Sequence, residues 1–354
     1  MANFGFRVDA SLEIGHGHLM RCLTLANELK KRSNECFFIT NKLDPYLKDK
    51  ALSMGHEIYN LPTPNAQNFN WKKDALLTQE ILKKISVSWL IVDHYLIDKK
   101  WETIQRKNSK NIMVIDDLLN REHECDLLLD QNIGRTNLDY CNLVPQSASL
   151  IAGLNFSLIG EEFLKMREES IRARNSYSLN NILVTMGGSD PKNLTTKALK
   201  DIAKTNLNSE STISVILQKK SQNVSVVKSI LKNLPFASHL FFDVDDMSKI
   251  LAAQDLVIGA MGISVWERCC LGIPSISMVV EDSQDFVAET LHLSRASIVV
   301  NRSYSDGYSI QSAIDYFSSS KNLKYTSEIA ANLVDGQGAK RVVDAIDKHS
   351  LRNI

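Results

Sequence analysis

The feature that most limits the folds open to this chain is a pair of short apolar runs, each closed by an acid. They are Trp89-Leu90-Ile91-Val92-Asp93 and Ile112-Met113-Val114-Ile115-Asp116. A strand with one face in water alternates apolar and polar residues. A strand covered on both faces has no reason to alternate, and parallel strands are of this kind because helical crossovers lie on each side of them. Residues 5–9, 36–40 and 57–61 read as companion strands, with 127–130 and 150–153 as further candidates. Residues 18–32 put Leu19, Cys22, Leu23, Leu25, Ala26 and Leu29 on one face of a helix between the first two strands.

The alternation restarts in the second half. Residues 182–186, 212–217, 239–243, 256–259 and 275–280 read as strands, and 193–204, 221–231, 262–271 and 282–293 as helices. A charged helical stretch, 161–174, and a polar segment, 175–181, read as the connection. The expected organisation is a domain over 1–160, a linker over 161–180, a second domain over 181–336 and a C-terminal helix over 337–354. A chain of 354 residues fits two domains, at roughly 150 residues each. The fold class expected is α/β, with two doubly wound, Rossmann-like domains facing a cleft. Ligands of such sheets sit beyond the C-terminal ends of the strands, so the loops after Asp9, Asp93, Met186 and Gly259 carry the functional interest.

Lys plus Arg and Asp plus Glu are equal at 41 each. That balance gives no electrostatic case for a nucleic-acid partner, which calls for a basic face. No apolar run approaches the about 20 residues of a membrane span. The N-terminal residues lack the pattern of a signal peptide, so a cytoplasmic location and no membrane partner are expected. The six cysteines are scattered, with no CxxC pair, and read as small apolar residues.

Four loops could carry chemistry. In the first, Gly15-His16-Gly17-His18, the glycines permit close backbone approach to a ligand. His18 falls in the first turn of the helix, where the positive dipole end favours neutral imidazole, and Arg21 follows one turn on. The same spacing also suits a plain glycine turn. His16 and His18 with Asp93 or His94 make a conceivable metal set, but no HExxH or carboxylate cluster accompanies them, and no metal is expected. The second loop, Asp93-His94-Tyr95, suits a pocket, or Asp93 caps the next turn. The third, Met186-Gly187-Gly188-Ser189-Asp190-Pro191 leading to Asn193, reads as an anion nest or a β-turn before a helix. The fourth is Gly259-Ala260-Met261-Gly262-Ile263-Ser264, before Trp266-Glu267-Arg268. There Ser264 and backbone N–H groups suit phosphate, and Glu267 suits two ribose hydroxyls or the helix dipole. No GxSxG elbow, P-loop or GxGxxG is present.

Taken together, these segments resemble a family. Phe6-Arg7-Val8-Asp9-Ala10-Ser11, Ile14-Gly15-His16-Gly17-His18, Met20-Arg21-Cys22-Leu23, Val92-Asp93-His94-Tyr95 and Asp116-Asp117 resemble the UDP-sugar hydrolases of pseudaminic acid biosynthesis. So do residues 126–132, Gly187-Gly188-Ser189-Asp190-Pro191, Trp266-Glu267-Arg268-Cys269-Cys270-Leu271-Gly272 and Asp335-Gly336 with Arg341-Val342-Val343. The matches run in order over almost the whole chain. The resemblance implies a GT-B fold related to the MurG-type glycosyltransferases. It implies inverting, metal-free hydrolysis of UDP-2,4-diacetamido-2,4,6-trideoxy-β-L-altropyranose to UDP and the free sugar, with water and the UDP-sugar as the partners and no cofactor. It gives His18 the central catalytic place; Asp93 and Tyr95 are further candidates for gripping the sugar or supporting His18. Substrate contacts are expected from Arg7, Asp9, Gly15, Gly17, Arg21, Gly187, Gly188, Ser189, Asn193, Gly262, Ile263, Ser264, Glu267 and Gln284. UDP falls to the C-terminal domain, with Glu267 on the ribose, and the sugar to the N-terminal domain. Two departures stand out. The family's A-G-G-S-T loop is here Ala260-Met261-Gly262-Ile263-Ser264, and its E-N-Q is Glu281-Asp282-Ser283-Gln284.

Overall fold

The two acid-ended runs are central strands, and each alternate residue faces a different core. A computed structural model describes residues 2–11, 14–62, 69–174, 177–188, 190–300 and 308–352. The chain divides into one unit of Met1–Leu158 with Gln337–Ile354 and another of Ile159–Gly336.

The first unit runs β1 (Asn3–Val8), α1 (Gly17–Lys31), β2 (Glu35–Thr40), α2 (Pro45–Ser53), β3 (Glu57–Asn60), α3 (Trp71–Leu82) and β4 (Val87–Asp93). It continues through α4 (Lys99–Gln105), β5 (Ser109–Ile115), β6 (Leu127–Asp130) and β7 (Ser149–Ala152). The strands form one parallel sheet in the order β3-β2-β1-β4-β5-β6-β7. On one face Phe6, Val8, Trp89, Ile91, Met113 and Ile115 pack with the apolar stripe of α1. On the other, Leu90, Val92, Ile112 and Val114 pack with Ala75 and Leu82 of α3 and Trp101 of α4. Two apolar faces are why these runs do not alternate.

The second unit runs α5 (Glu161–Ala173), β8 (Asn181–Thr185), α6 (Leu194–Ile202), β9 (Thr212–Leu217), α7 (Val224–Asn233), β10 (Ala237–Phe242), α8 (Met247–Ala252) and β11 (Leu256–Ala260). It ends with α9 (Ser264–Cys270), β12 (Ser275–Met278), α10 (Asp285–Ser294), β13 (Ile298–Val300), α11 (Ile310–Phe317) and α12 (Ser320–Leu333). Its sheet is parallel, in the order β10-β9-β8-β11-β12-β13.

Two segments differ from the sequence expectation. The charged stretch at 161–174 is not a bare connector. Its helix α5 is tied into the second unit, where Arg167 donates to the carbonyls of Cys270, Ala331 and Val334 and the Ser170 hydroxyl to Leu271 O. The C-terminal helix α13 (Gly338–Arg352) is built into the first unit. Val342, Val343 and Ile346 enter its core, and Arg32 at the end of α1 pairs with Asp344 and Asp347 at 2.6 Å each.

In each sheet the strand order reverses at one point, beside β1 in the first unit and β8 in the second. At such a switch point the connections leave to opposite faces and open a crevice beyond the strand ends. The loops after β1 and β4 meet at one of these points. Those after β8 and β11 meet at the other.

Candidate active site

In the first unit the 15–18 loop delivers His18 to the end of β4. Gly15 has φ +91° and its N–H bonds Ser11 O at 2.8 Å, the tight turn expected of it. Gly17 opens α1 and His18 occupies the first turn. Asp93, the last residue of β4, is 1% exposed. Its Oδ1 lies 2.6 Å from His18 Nδ1. Arg21 grips the same carboxylate by two donors, Nε to Oδ2 and Nη2 to Oδ1, both at 2.6 Å. Burial alone would raise the pKa of Asp93, but the Arg21 charge and His18 reverse the effect and hold it well below the usual carboxylate range.

An ionised carboxylate only accepts, so the proton between Asp93 and His18 sits on Nδ1, which in the neutral imidazole leaves the lone pair on Nε2. Nε2 has no hydrogen-bond partner among the described residues, while the side chain keeps 11% of its exposure. The exposed Tyr95 sets its ring edge-on to His18 at 4.5 Å, and its hydroxyl donates to Asp117 Oδ2 at 3.3 Å. Asp117 also takes Arg21 Nη1 at 3.0 Å. His18, Arg21, Asp93 and Tyr95, expected from separate loops, therefore form one cluster. Asp117 joins it; its pairing with Asp116 in the sequence gave it no distinct signal.

Arg7 and Asp9 lie elsewhere. Arg7 is 0% exposed, and its guanidinium is taken by Asp9 at 2.7 Å and Asp74 at 2.6 Å. Asp9 also accepts from the N–H groups of Asn41 at 2.7 Å and Lys42 at 3.3 Å, and faces His94 Nε2 at 3.3 Å. Asp74, on α3, further takes the Trp101 indole at 2.9 Å. A guanidinium with no exposed atom touches no ligand. The expected substrate contact of Arg7 is corrected to an internal brace for the strand end and loop that carry the site. Among the described residues no group of three His, Cys, Asp or Glu side chains is placed to hold a metal ion, and no helix is long and apolar enough to cross a membrane.

In the second unit Gly187 has φ +83° and Gly262 φ +144°, and neither would meet an atom within 4 Å if it carried a Cβ. A Cβ on Gly188, by contrast, would strike the Gln218 side chain at 2.5 Å. Ser189 lies outside the described residues. At the start of α6 Asp190 accepts from the N–H groups of Leu194 and Thr195 at 2.9 Å each. Asn193 caps that helix in a left-handed conformation, φ +52°, with its Oδ1 buried and unpartnered. Ile263 and Ser264 lead into α9 and Glu267 is half-buried on its first turn. Gln284 is spent within the chain: its Oε1 accepts from Val280 N at 2.9 Å and Glu281 N at 3.2 Å, and its Nε2 donates to Met261 O at 3.3 Å. These bonds brace the loop that stands in place of A-G-G-S-T.

The comparisons with known proteins match this architecture. The crystal structure of Acinetobacter baumannii MurG superposes with a TM-score of 0.69 at 14% identity, covering 98% of this chain and 100% of that one. The fold is GT-B. Residues 181–347 match the glycosyltransferase family 28 C-terminal domain. The UDP-2,4-diacetamido-2,4,6-trideoxy-beta-L-altropyranose hydrolase of Campylobacter jejuni is 27% identical over 73% of this chain and 85% of its own length. This similarity agrees with the resemblance carried by the motifs. An uncharacterized protein of Methanocaldococcus jannaschii is 26% identical over 78% of this chain, which spans 55% of that protein.

Proposed function

We propose that this chain hydrolyses a UDP-linked amino sugar to UDP and the free sugar, with inversion at the anomeric carbon. The finer reading of the substrate is UDP-2,4-diacetamido-2,4,6-trideoxy-β-L-altropyranose, supported by the motifs and by the relationship to the Campylobacter hydrolase. The observation that carries the reading is His18 held by Asp93 at 2.6 Å, with Nε2 lacking a partner among the described residues. An imidazole locked in that tautomer is a general base. Water attacks the anomeric carbon and gives its proton to His18 Nε2. The bond from that carbon to the β-phosphate oxygen breaks, and its electrons leave with UDP. Asp93 stabilises the imidazolium that forms.

UDP is assigned to the second unit, with its diphosphate against the open glycines Gly187 and Gly262 and the Ser264 hydroxyl at the start of α9. Glu267 is assigned to the ribose. The sugar is assigned to the first unit beside His18. A second reading, transfer of the sugar to an acceptor hydroxyl, draws on the glycosyltransferase family 28 match. Incubation with the UDP-sugar and no acceptor separates them. Hydrolysis yields UDP and inverted free sugar in equal amounts by NMR, and absence of sugar release until an acceptor is added would favour transfer.

A further inference from the structure

We infer that Arg268 is an anion-recognition residue: a buried cation that works through the Ser264 hydroxyl to supply the counter-charge for a nucleoside diphosphate at the 262–264 turn. The inference rests on the reading of the second unit as the UDP-binding one and adds to it a residue set behind the turn. Arg268 is 0% exposed. Its neighbours are neutral and distant for hydrogen bonds: Ser277 Oγ at 3.2 Å from Nη2, Ala260 O at 3.4 Å from Nη2 and Ser264 Oγ at 3.4 Å from Nη1. Its Nε is buried without a partner. Among the described residues no carboxylate lies within ion-pair distance of it. Glu267 acts on it only through space, and the Cys269 thiol, pushed up to about 12 by burial, is neutral.

The other buried arginines show how unusual this is. Arg7 has Asp9 and Asp74, and Arg21 has Asp93 and Asp117. Arg174 also lacks a bonded acid, but it donates to the carbonyls of Ser170, Ala252, Gln254 and Leu271 around the ends of helices. Arg268 alone among these four has neither an acid nor a set of close carbonyls. A buried charge is costly unless it is paired. Burial lowers the pKa of Arg268, yet only to about 10, so it stays charged at neutral pH.

The chain keeps this cation seated. A Cβ on Gly259 would lie 2.5 Å from Arg268 Nη1, so the glycine at the end of β11 is the room the guanidinium occupies. Ser264 Oγ takes Arg268 Nη1, and Ser264 stands two residues after the open Gly262. A hydroxyl accepts and donates at once. With Arg268 Nη1 donating to Ser264 Oγ, the serine proton is free to point at a phosphate oxygen, and the buried charge gains its missing partner when that anion arrives.

The test is calorimetric titration of the full chain with uridine, UMP, UDP and pyrophosphate, in wild type, Arg268→Gln, Ser264→Ala and the double variant. Arg268→Gln is expected to weaken UDP by about tenfold or more while leaving uridine within about twofold. The double variant should be little worse than either single one, because the two residues act in series. Equal loss of UDP and uridine, or unchanged UDP binding by Arg268→Gln, would overturn the inference. Should Arg268→Gln not fold, Ser264→Ala alone decides: unchanged preference for UDP over uridine rejects the relay. Pyrophosphate binding as tightly as UDP would assign the charge to free anions instead of a nucleotide. Wild type that fails to bind UDP rejects the UDP-binding reading itself, a different failure.

Discussion

Asp93 sits under two cationic or potentially cationic groups, and its charge decides what each can do. Arg21 holds it ionised, and in that state it orders His18 through Nδ1. Arg21 also approaches His18 Nδ1 to 3.1 Å, so a protonated imidazole there is balanced chiefly by Asp93. Replacing Asp93 by Asn keeps the shape and removes the charge. Turnover of bound substrate is expected to fall by about a hundredfold or more, with KM changing far less. Steady-state kinetics across substrate concentration check this, and an effect confined to KM would mean that Asp93 grips substrate instead. The variant should also melt lower, since Arg21 loses its closest counter-charge. Little of this balance was legible in the sequence. His18, Arg21, Asp93 and Tyr95 were readable as loop residues at strand ends, but the partner of Arg7 was not. Asp74 lies 67 positions away on a helix, and a buried carboxylate looks like a surface one in sequence.

At the scale of elements, the strands were easy to read and the short helices were not. Burial on both faces leaves an apolar run that survives without alignment. The helices α2 and α3 went unread although each has a start signal: Asp44 before Pro45 accepts from Tyr46 N, and Asn70 accepts from Lys73 N. β13 has only three residues, too few for a period. One consequence of the element packing lies between α4 and the ends of β5 and β6. His123 is 1% exposed, with Nδ1 at 2.8 Å from Glu102 Oε1 and Nε2 at 3.8 Å from Asp116 Oδ1. Burial works against its charge, but Asp116 and Glu102 prevail and push its pKa up to about 9. A raised pKa stabilises the fold fully below the unfolded value near 6.5. That contribution fades as pH climbs through about 9. Denaturant midpoints measured at rising pH should therefore drop for wild type, and the gap to His123→Gln should narrow. Curves that stay parallel over that range would contradict the charged state of His123.

For the whole molecule, the chain enters the second unit once, at 158–159, and returns at 336–337 so that α13 completes the core of the first. The restart of the strand–helix alternation after residue 181 made two domains legible. The return of α13 was not, because an amphipathic helix at the end of a sequence carries no mark of which core it joins. The glycine loops at 15–17, 187–188 and 262 each follow a strand beside the place where the sheet order reverses. In the proposed reaction the second unit recognises UDP and the first carries the proton transfer, with His18 as the base. The most direct measurement is single-turnover hydrolysis of the UDP-trideoxy-altrose by His18→Asn at saturating enzyme. The account predicts UDP binding close to wild type and a hydrolysis rate lower by about 10²–10⁴-fold. A rate near wild type would contradict it.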